Sequence, residues 1–183
     1  MTILARYPPG EEKVVRYWHT LFAHDLVKYR VSELEKPTPN DIYKMLTHPS
    51  NNTFYNSGPV IFGECTLNNF RGLSAYGHFS VLPGIDRVEA VMIARMMVAE
   101  LFTLKRGEGP LKGYPYVSSI LCMTPKFNRA ARKFVTDMGA VYRCTLKDNY
   151  YVAYLPKKRW IQDAVVNEIT AEMLGIKNNV DVT

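Results

Sequence analysis

Between Val117 and Ala140 the chain reads VSSILCMTPKFNRAARKFVTDMGA, and this segment restricts the fold more than any other. Val117 to Met123 is a short apolar run of the kind that forms a buried strand, and Thr124-Pro125 closes it. Asn128, Ala131, Phe134, Val135 and Met138 then recur at three- and four-residue spacing, which places them on one face of a helix. Gly139 supplies the residue that ends such a helix without steric penalty. A buried strand feeding directly into an amphipathic helix calls for a sheet with helices packed against it.

The rest of the chain extends this pattern. Pro8-Pro9-Gly10 ends an extended leader over residues 1–10, and Val14, Trp18, Leu21, Phe22 and Tyr29 predict a helix from Glu11 to Arg30. Thr38 or Asn40 caps a second helix, Asp41 to Thr47, which His48-Pro49 stops. Ser50 to Pro59 reads as a loop, and Val60 to Leu67 and Leu73 to Leu82 read as strands around a turn at Asn68 to Gly72. Arg87 to Lys105 predicts a long helix, apolar almost all round through Val88, Val91, Met92, Met96, Leu101 and Leu104, and hence largely buried. After the opening segment, Val141 to Leu146 and Tyr150 to Leu155 predict a hairpin. Ile161, Val165, Ile169 and Met173 predict a last helix within residues 159–176, followed by a polar tail at 177–183.

With 183 residues and 47% apolar composition the chain suits a single domain with one core. No apolar run approaches the roughly 20 residues of a membrane helix, and the N-terminus lacks a signal-peptide pattern. Cys65, Cys122 and Cys144 show no metal-ligand spacing, so they read as buried free thiols of a reducing compartment, and the expected location is cytoplasmic. His19 and His24 lie five apart rather than four, and no metal is expected. The net charge is +6, but the basic groups are dispersed: Lys126, Arg129, Arg132 and Lys133 share a helix and Lys157-Lys158-Arg159 form a turn. Both read as solvated faces rather than a nucleic-acid groove, while a basic surface also suits a phosphorylated cofactor.

The order helix, helix, strand, strand, helix, strand, helix, hairpin resembles the GNAT superfamily of acyl-CoA-dependent N-acyltransferases from Val60 to Leu155. Val81-Leu82-Pro83 matches the family's Val-x-Pro strand end, and Asn128 with Ala131 matches its Asn-x-x-Ala helix. The resemblance implies an α/β (α+β) fold with a mixed, mostly antiparallel central sheet flanked by helices, here with extra N- and C-terminal helices. It also implies acetyl-CoA as cofactor, held by the backbone of Ser80, Val81 and Leu82, by Asn128 and by a helix N-terminus that takes the pyrophosphate. Asn128 is also a candidate cap for its own helix.

Two departures follow from the same alignment of motifs. Where the family carries Arg or Gln, Gly, Gly and Gly or Ala before and within the pyrophosphate helix, this chain has Asp86, Arg87, Glu89 and Val91. Carboxylates favour a helix N-terminus but repel a pyrophosphate, and Arg87 is the residue that could bind a phosphate with a fork of donors. Where many members place the tyrosine acid on the Asn-x-x-Ala helix, this chain has Val135. Tyr76, His78 and Ser80 share a strand face, which makes His78 a candidate general base, as is Glu64. His78 as a structural histidine and Glu64 as a paired carboxylate are the alternatives.

Three functions are therefore open: N-acylation of an amine, a catalytically inactive binding or assembly protein, or a basic nucleic-acid-binding module. The second pattern is similar to acetyltransferase-like proteins of tailed bacteriophages, which implies a host-cytoplasm or virion location and a protein partner docked on Trp160 and the C-terminal helix.

Overall fold

The computed structural model describes residues 3–31, 33–109, 111–155 and 161–176. β1 is Leu4–Ala5, and α1 is Glu12–Ala23 with Val14, Tyr17, Trp18 and Leu21 on its buried stripe. The helix predicted to reach Arg30 breaks at Asp25, which takes a φ of 54°, and restarts as the single turn α2, Val27–Arg30. α3 is Pro39–Thr47, started by a capping box in which Thr38 Oγ1 accepts from Asp41 N–H and the Asp41 carboxylate accepts from Thr38 N–H at 2.8 Å. Of the two predicted caps, the one realised is Thr38, and Pro39 fills the first helical position.

The expected loop at Ser50 to Pro59 contains β2, Asn52–Asn56. Asn56 ends it and pins the following turn: its Oδ1 accepts from Phe62 N–H at 2.6 Å and Gly63 N–H at 2.9 Å, and its Nδ2 donates to Val60 C=O at 3.0 Å. β3 (Gly63–Arg71) and β4 (Ser74–Val81) form the central antiparallel pair. α4 is Arg87–Thr103, β5 is Ser119–Pro125, α5 is Arg129–Asp137, β6 is Val141–Tyr151 and β7 is Ile161–Thr170.

The seven strands run in the order β1-β2-β3-β4-β5-β7-β6, antiparallel throughout except for β4 beside β5. One face of the sheet packs on α4 and α5 through Cys65, Leu67, Ala75, Ile120 and Cys122. The N-terminal helices form a second cluster, in which Val14, Tyr17, Trp18 and Ile42 pack with Tyr55 and Ile61.

Four expectations are corrected here. The C-terminal helix is β7, inserted between β5 and β6, so it is an interior strand and not a docking helix. Ile161, Val165 and Ile169 recur every four residues, a spacing that fits one helix face and one strand face equally, and the β-branched run Val165-Val166 decides for the strand. Trp160 and the tail at 177–183 lie outside the described residues. The hairpin at 141–155 is the one strand β6, with a register irregularity between Leu146 and Tyr150 where Asp148 takes a φ of 49°. α4 buries one face (Ala90, Ala94, Met97, Val98, Leu101), while Val88, Met92 and Met96 are exposed at 76%, 53% and 46%. Cys65 and Cys122 are buried as expected, but Cys144 is exposed on the edge strand β6.

β4 and β5 pair over only three positions, from Ser74 with Ser119 to Tyr76 with Leu121. Beyond them β4 stays with β3 as far as Val81, β5 stays with β7 as far as Pro125, and a wedge opens between the two. Gly77 stands at the fork. A Cβ there would lie 2.3 Å from Ile120 Cγ2 and 3.3 Å from Phe79, so only glycine lets β5 approach. Gly77→Ala is expected to destabilise the protein by about 1–3 kcal/mol through overpacking, read as a lower urea midpoint with an unchanged m-value.

Candidate functional site

The wedge forms a cleft of about 750 Å³ bordered by Val81, Leu82, Arg87 and Asn128, four of the residues expected to contact a cofactor. Its β4 wall is a strand edge. Leu82 N–H donates to Phe62 C=O at 2.7 Å, and in an antiparallel pair the narrow positions alternate. Ser80 and Leu82 therefore direct their peptide groups to β3, whereas Phe79 and Val81 direct theirs toward the departed β5. The cleft-facing peptide groups are thus those of Phe79 and Val81, whereas those of Ser80 and Leu82 face β3. Phe79 could have been found from strand parity once the position of β3 was known.

At the mouth of the cleft, Asp86 caps α4: its Oδ1 accepts from Val88 N–H at 2.8 Å and Glu89 N–H at 3.3 Å. The first amides of the helix are thus engaged by their own side chain. Arg87 reaches across to α5, with Nη2 2.6 Å and Nε 3.1 Å from Asp137 Oδ2. Arg87 first, and Lys133 second, hold the Asp137 carboxyl below its usual range. Asn128 is the cap of α5, its Oδ1 accepting from Ala131 N–H at 3.0 Å, which leaves Nδ2 as the group it can present to a ligand. Arg129, in the first turn of α5, borders the same cleft opposite Arg87. Read along the chain, it belongs to a charged helix face, and only the fold shows its side chain at the wedge. Val135, at the position of the family's tyrosine, is core; the cleft's phenol is Tyr29 of α2.

Glu64 and Ser80 lie on the opposite face of the sheet, in a buried network under α1 and α2. Glu64 is 1% exposed and pairs with Arg30 Nε at 2.7 Å. It also accepts from Thr66 Oγ1 at 2.9 Å and Ser80 Oγ at 3.0 Å, and Tyr17 O–H donates to Ser80 C=O at 2.9 Å. Burial, and then the nearby Glu64 charge, push the Tyr17 phenol well above its ordinary value. Three donors thus reach the two Glu64 oxygens in a buried setting, the arrangement of a structural ion pair rather than of a proton acceptor open to a substrate.

His78 borders a second cleft, of about 470 Å³, formed by α2, β3, β4 and the far end of β6. Burial first, and the Arg30 charge second, lower its value to about 3, so it is neutral at physiological pH. A neutral imidazole accepts a hydrogen bond here but takes up a full proton reluctantly. Among the described residues no group of three or more His, Cys, Asp or Glu could hold a metal ion, and no helix is long and apolar enough to cross a membrane.

Two stability effects follow. Glu64→Leu leaves Arg30 buried without its partner and is expected to cost about 3–5 kcal/mol, while the Glu64→Leu/Arg30→Met pair recovers most of it, both by equilibrium denaturation. His78 has a folded value below its ordinary 6.5, so the unfolded chain binds more protons between that value and about 3. Its contribution is complete above pH 6.5 and is lost as pH falls toward 3. His78→Gln is expected to show a shallower acid-side loss of urea midpoint than the wild type.

No protein-family model matches the sequence. Solved structures do match the fold. A ribosomal-protein-S5-alanine acetyltransferase from Vibrio fischeri aligns with a TM-score of 0.63 at 12% identity, over 92% of each chain. A spermidine N-acetyltransferase chimera from Vibrio cholerae gives 0.63 at 16% identity, over 95% of this chain and 99% of that one. An N-acetyltransferase from Staphylococcus aureus gives 0.63 at 9% identity, over 93% and 99%. Among curated sequences, a probable glutamate carboxypeptidase from Zea mays is 27% identical over 165 residues, which is 90% of this chain; the chain spans 23% of that protein's length. Strand order, the β4–β5 wedge and these alignments agree: the chain has the fold of the GNAT acetyltransferases.

Proposed function

We propose that the protein is an acyl-CoA-dependent N-acyltransferase, with acyl-CoA bound in the 750 Å³ wedge and the amine approaching from the His78 side of β4. The observation that carries this reading is the strand edge of Phe79 and Val81, whose peptide groups face an open cleft where β5 has separated. Such an edge is a hydrogen-bonding template for an extended amide-bearing arm. The side chains around it fit the rest of the cofactor. Arg87 and Arg129 would take the phosphates in place of the α4 amides that Asp86 occupies, and Asn128 Nδ2 would reach the arm.

Bound there, acetyl-CoA supplies an acyl group activated as a thioester. His78 accepts a hydrogen bond from the incoming amine and aims its lone pair across β4. The amine would form the new N–C bond as the C–S bond breaks; the Tyr29 phenol would protonate the departing sulfur, and the proton shed by the amine would pass through water to the Tyr29 oxygen, leaving amide, free thiol and a restored phenol.

Two observations favour a second reading, a cofactor-binding or assembly protein without turnover. Asp86 closes the helix N-terminus with a negative charge, and Val135 gives no proton.

Calorimetric titration with acetyl-CoA and coenzyme A, together with release of free thiol in the presence of amines, separates the two. The acyltransferase reading expects micromolar binding and thiol release. Arg87→Ala or Arg129→Ala should weaken binding by roughly tenfold, while Asp86→Asn, which keeps the cap and removes the charge, should tighten it. Binding without thiol release would favour a cofactor-binding protein without turnover, and no heat at millimolar ligand would overturn the acyltransferase reading and leave the assembly role.

A further inference from the structure

The 470 Å³ cleft beside His78 contains two unmet hydrogen-bonding groups of opposite kind. Arg30 is 7% exposed at its side chain; Glu64 takes its Nε, but its Nη2 has no partner among the described residues and no contact with solvent. Asn68 Oδ1 is in the same condition, while Asn68 Nδ2 lies 3.5 Å from His78 Nε2. Arg30, Asn68 and His78 all belong to the wall of this cleft. A buried polar group without a partner costs about 1–3 kcal/mol, and most native proteins avoid it. Here the residues of one cleft wall carry an unmet donor and an unmet acceptor, and Asn68 also reaches the neutral His78 ring.

A ligand that meets these groups gains hydrogen bonds without first stripping water from the protein's side of them. It needs an oxygen for Arg30 Nη2 and an N–H for Asn68 Oδ1. The oxygen need not be charged, because Glu64 already neutralises the guanidinium and Glu33 at the rim would oppose a carboxylate. A polyamine carries N–H groups but no accepting oxygen, so it would leave Arg30 Nη2 unmet. A volume of this order suits an amino-acid-sized group or a short peptide end.

We infer that this cleft takes the acceptor, and that the acceptor is an amine carrying an amide carbonyl beside it, as in an amino-acid amide or a peptide N-terminus. The carbonyl oxygen accepts from Arg30 Nη2, and the N–H groups donate to Asn68 Oδ1 and the His78 ring. The acceptor role rests on the acyltransferase reading; the ligand chemistry of the cleft does not.

Ligand-detected NMR on the full chain without cofactor tests the chemistry directly, using alaninamide, trialanine amide, sec-butylamine and spermidine. The two amides are expected to bind at least tenfold more tightly than sec-butylamine or spermidine. Alaninamide tighter than the tripeptide would assign a small-molecule acceptor, and the reverse order a peptide end. Because Arg30 variants disturb the buried ion pair, the variant is Asn68→Ala, expected to weaken amide binding about tenfold, with Asn68→Asp keeping the accepting oxygen and much of the affinity. Spermidine binding as tightly as the amides, or Asn68→Ala binding them unchanged, would overturn the inference. Thiol release from acetyl-CoA is read in parallel. Release with spermidine but not with the amides would overturn the inference and leave the acyltransferase reading standing. Amide binding with no thiol release would leave the ligand chemistry standing and overturn the acceptor role.

Discussion

The structure depends on a single close contact, Gly77 of β4 against Ile120 of β5. The two strands pair in parallel up to this point and are then claimed by different neighbours, β4 by β3 and β5 by β7. A parallel pair has no hairpin to hold it, and here the ladder ends after three residues. The result is a strand edge inside the protein rather than at its rim. β4 keeps the outward peptide groups of Phe79 and Val81 with no strand beside them, and α4 and α5 frame the opening from one side. Everything assigned to the cofactor follows from that separation.

The opposite face of the same strand is organised by charge. Arg30 and Glu64 are both buried, and their attraction is worth its desolvation only because Thr66 and Ser80 complete the carboxylate's partners. This pair fixes α2 on the sheet and holds a positive charge near His78, which helps to keep the imidazole neutral. It also leaves one guanidinium nitrogen unspent at the edge of a cleft. The two clefts share β4, one bordered by Phe79 and Val81 and the other by Tyr76, Gly77 and His78.

Much of the architecture was legible in the sequence because it is local. The Val-x-Pro strand end, the Asn128 cap and the α4 boundaries follow from apolar spacing, caps and stops within a few residues. The errors arose where spacing was ambiguous or contacts were distant. The four-residue recurrence of Ile161, Val165 and Ile169 fits helix and strand alike, and the β-branched run Val165-Val166 with the place between β5 and β6 resolves it. The apolar stripe of Val88, Met92 and Met96 says nothing about which face of α4 meets the sheet. Among the residues that border the two clefts, His78, Val81, Arg87 and Asn128 are ones that strand alternation and motif position single out. Glu64 was found as an acid but not as Arg30's partner, since the two are 34 residues apart. Arg129 and Asn68 carried no signal of their own, because their roles come from which cleft the fold turns them toward.

The most direct test of this account is a backbone amide NMR titration with coenzyme A. The account predicts that the Phe79 and Val81 amides shift and gain protection from solvent exchange, with Arg129 at the cleft mouth, while the Ser80 and Leu82 amides, which face β3, change little. A titration in which the β4 amides stay unmoved, or in which shifts cluster away from the wedge, would contradict the claim that the strand edge opened at Gly77 is the cofactor site.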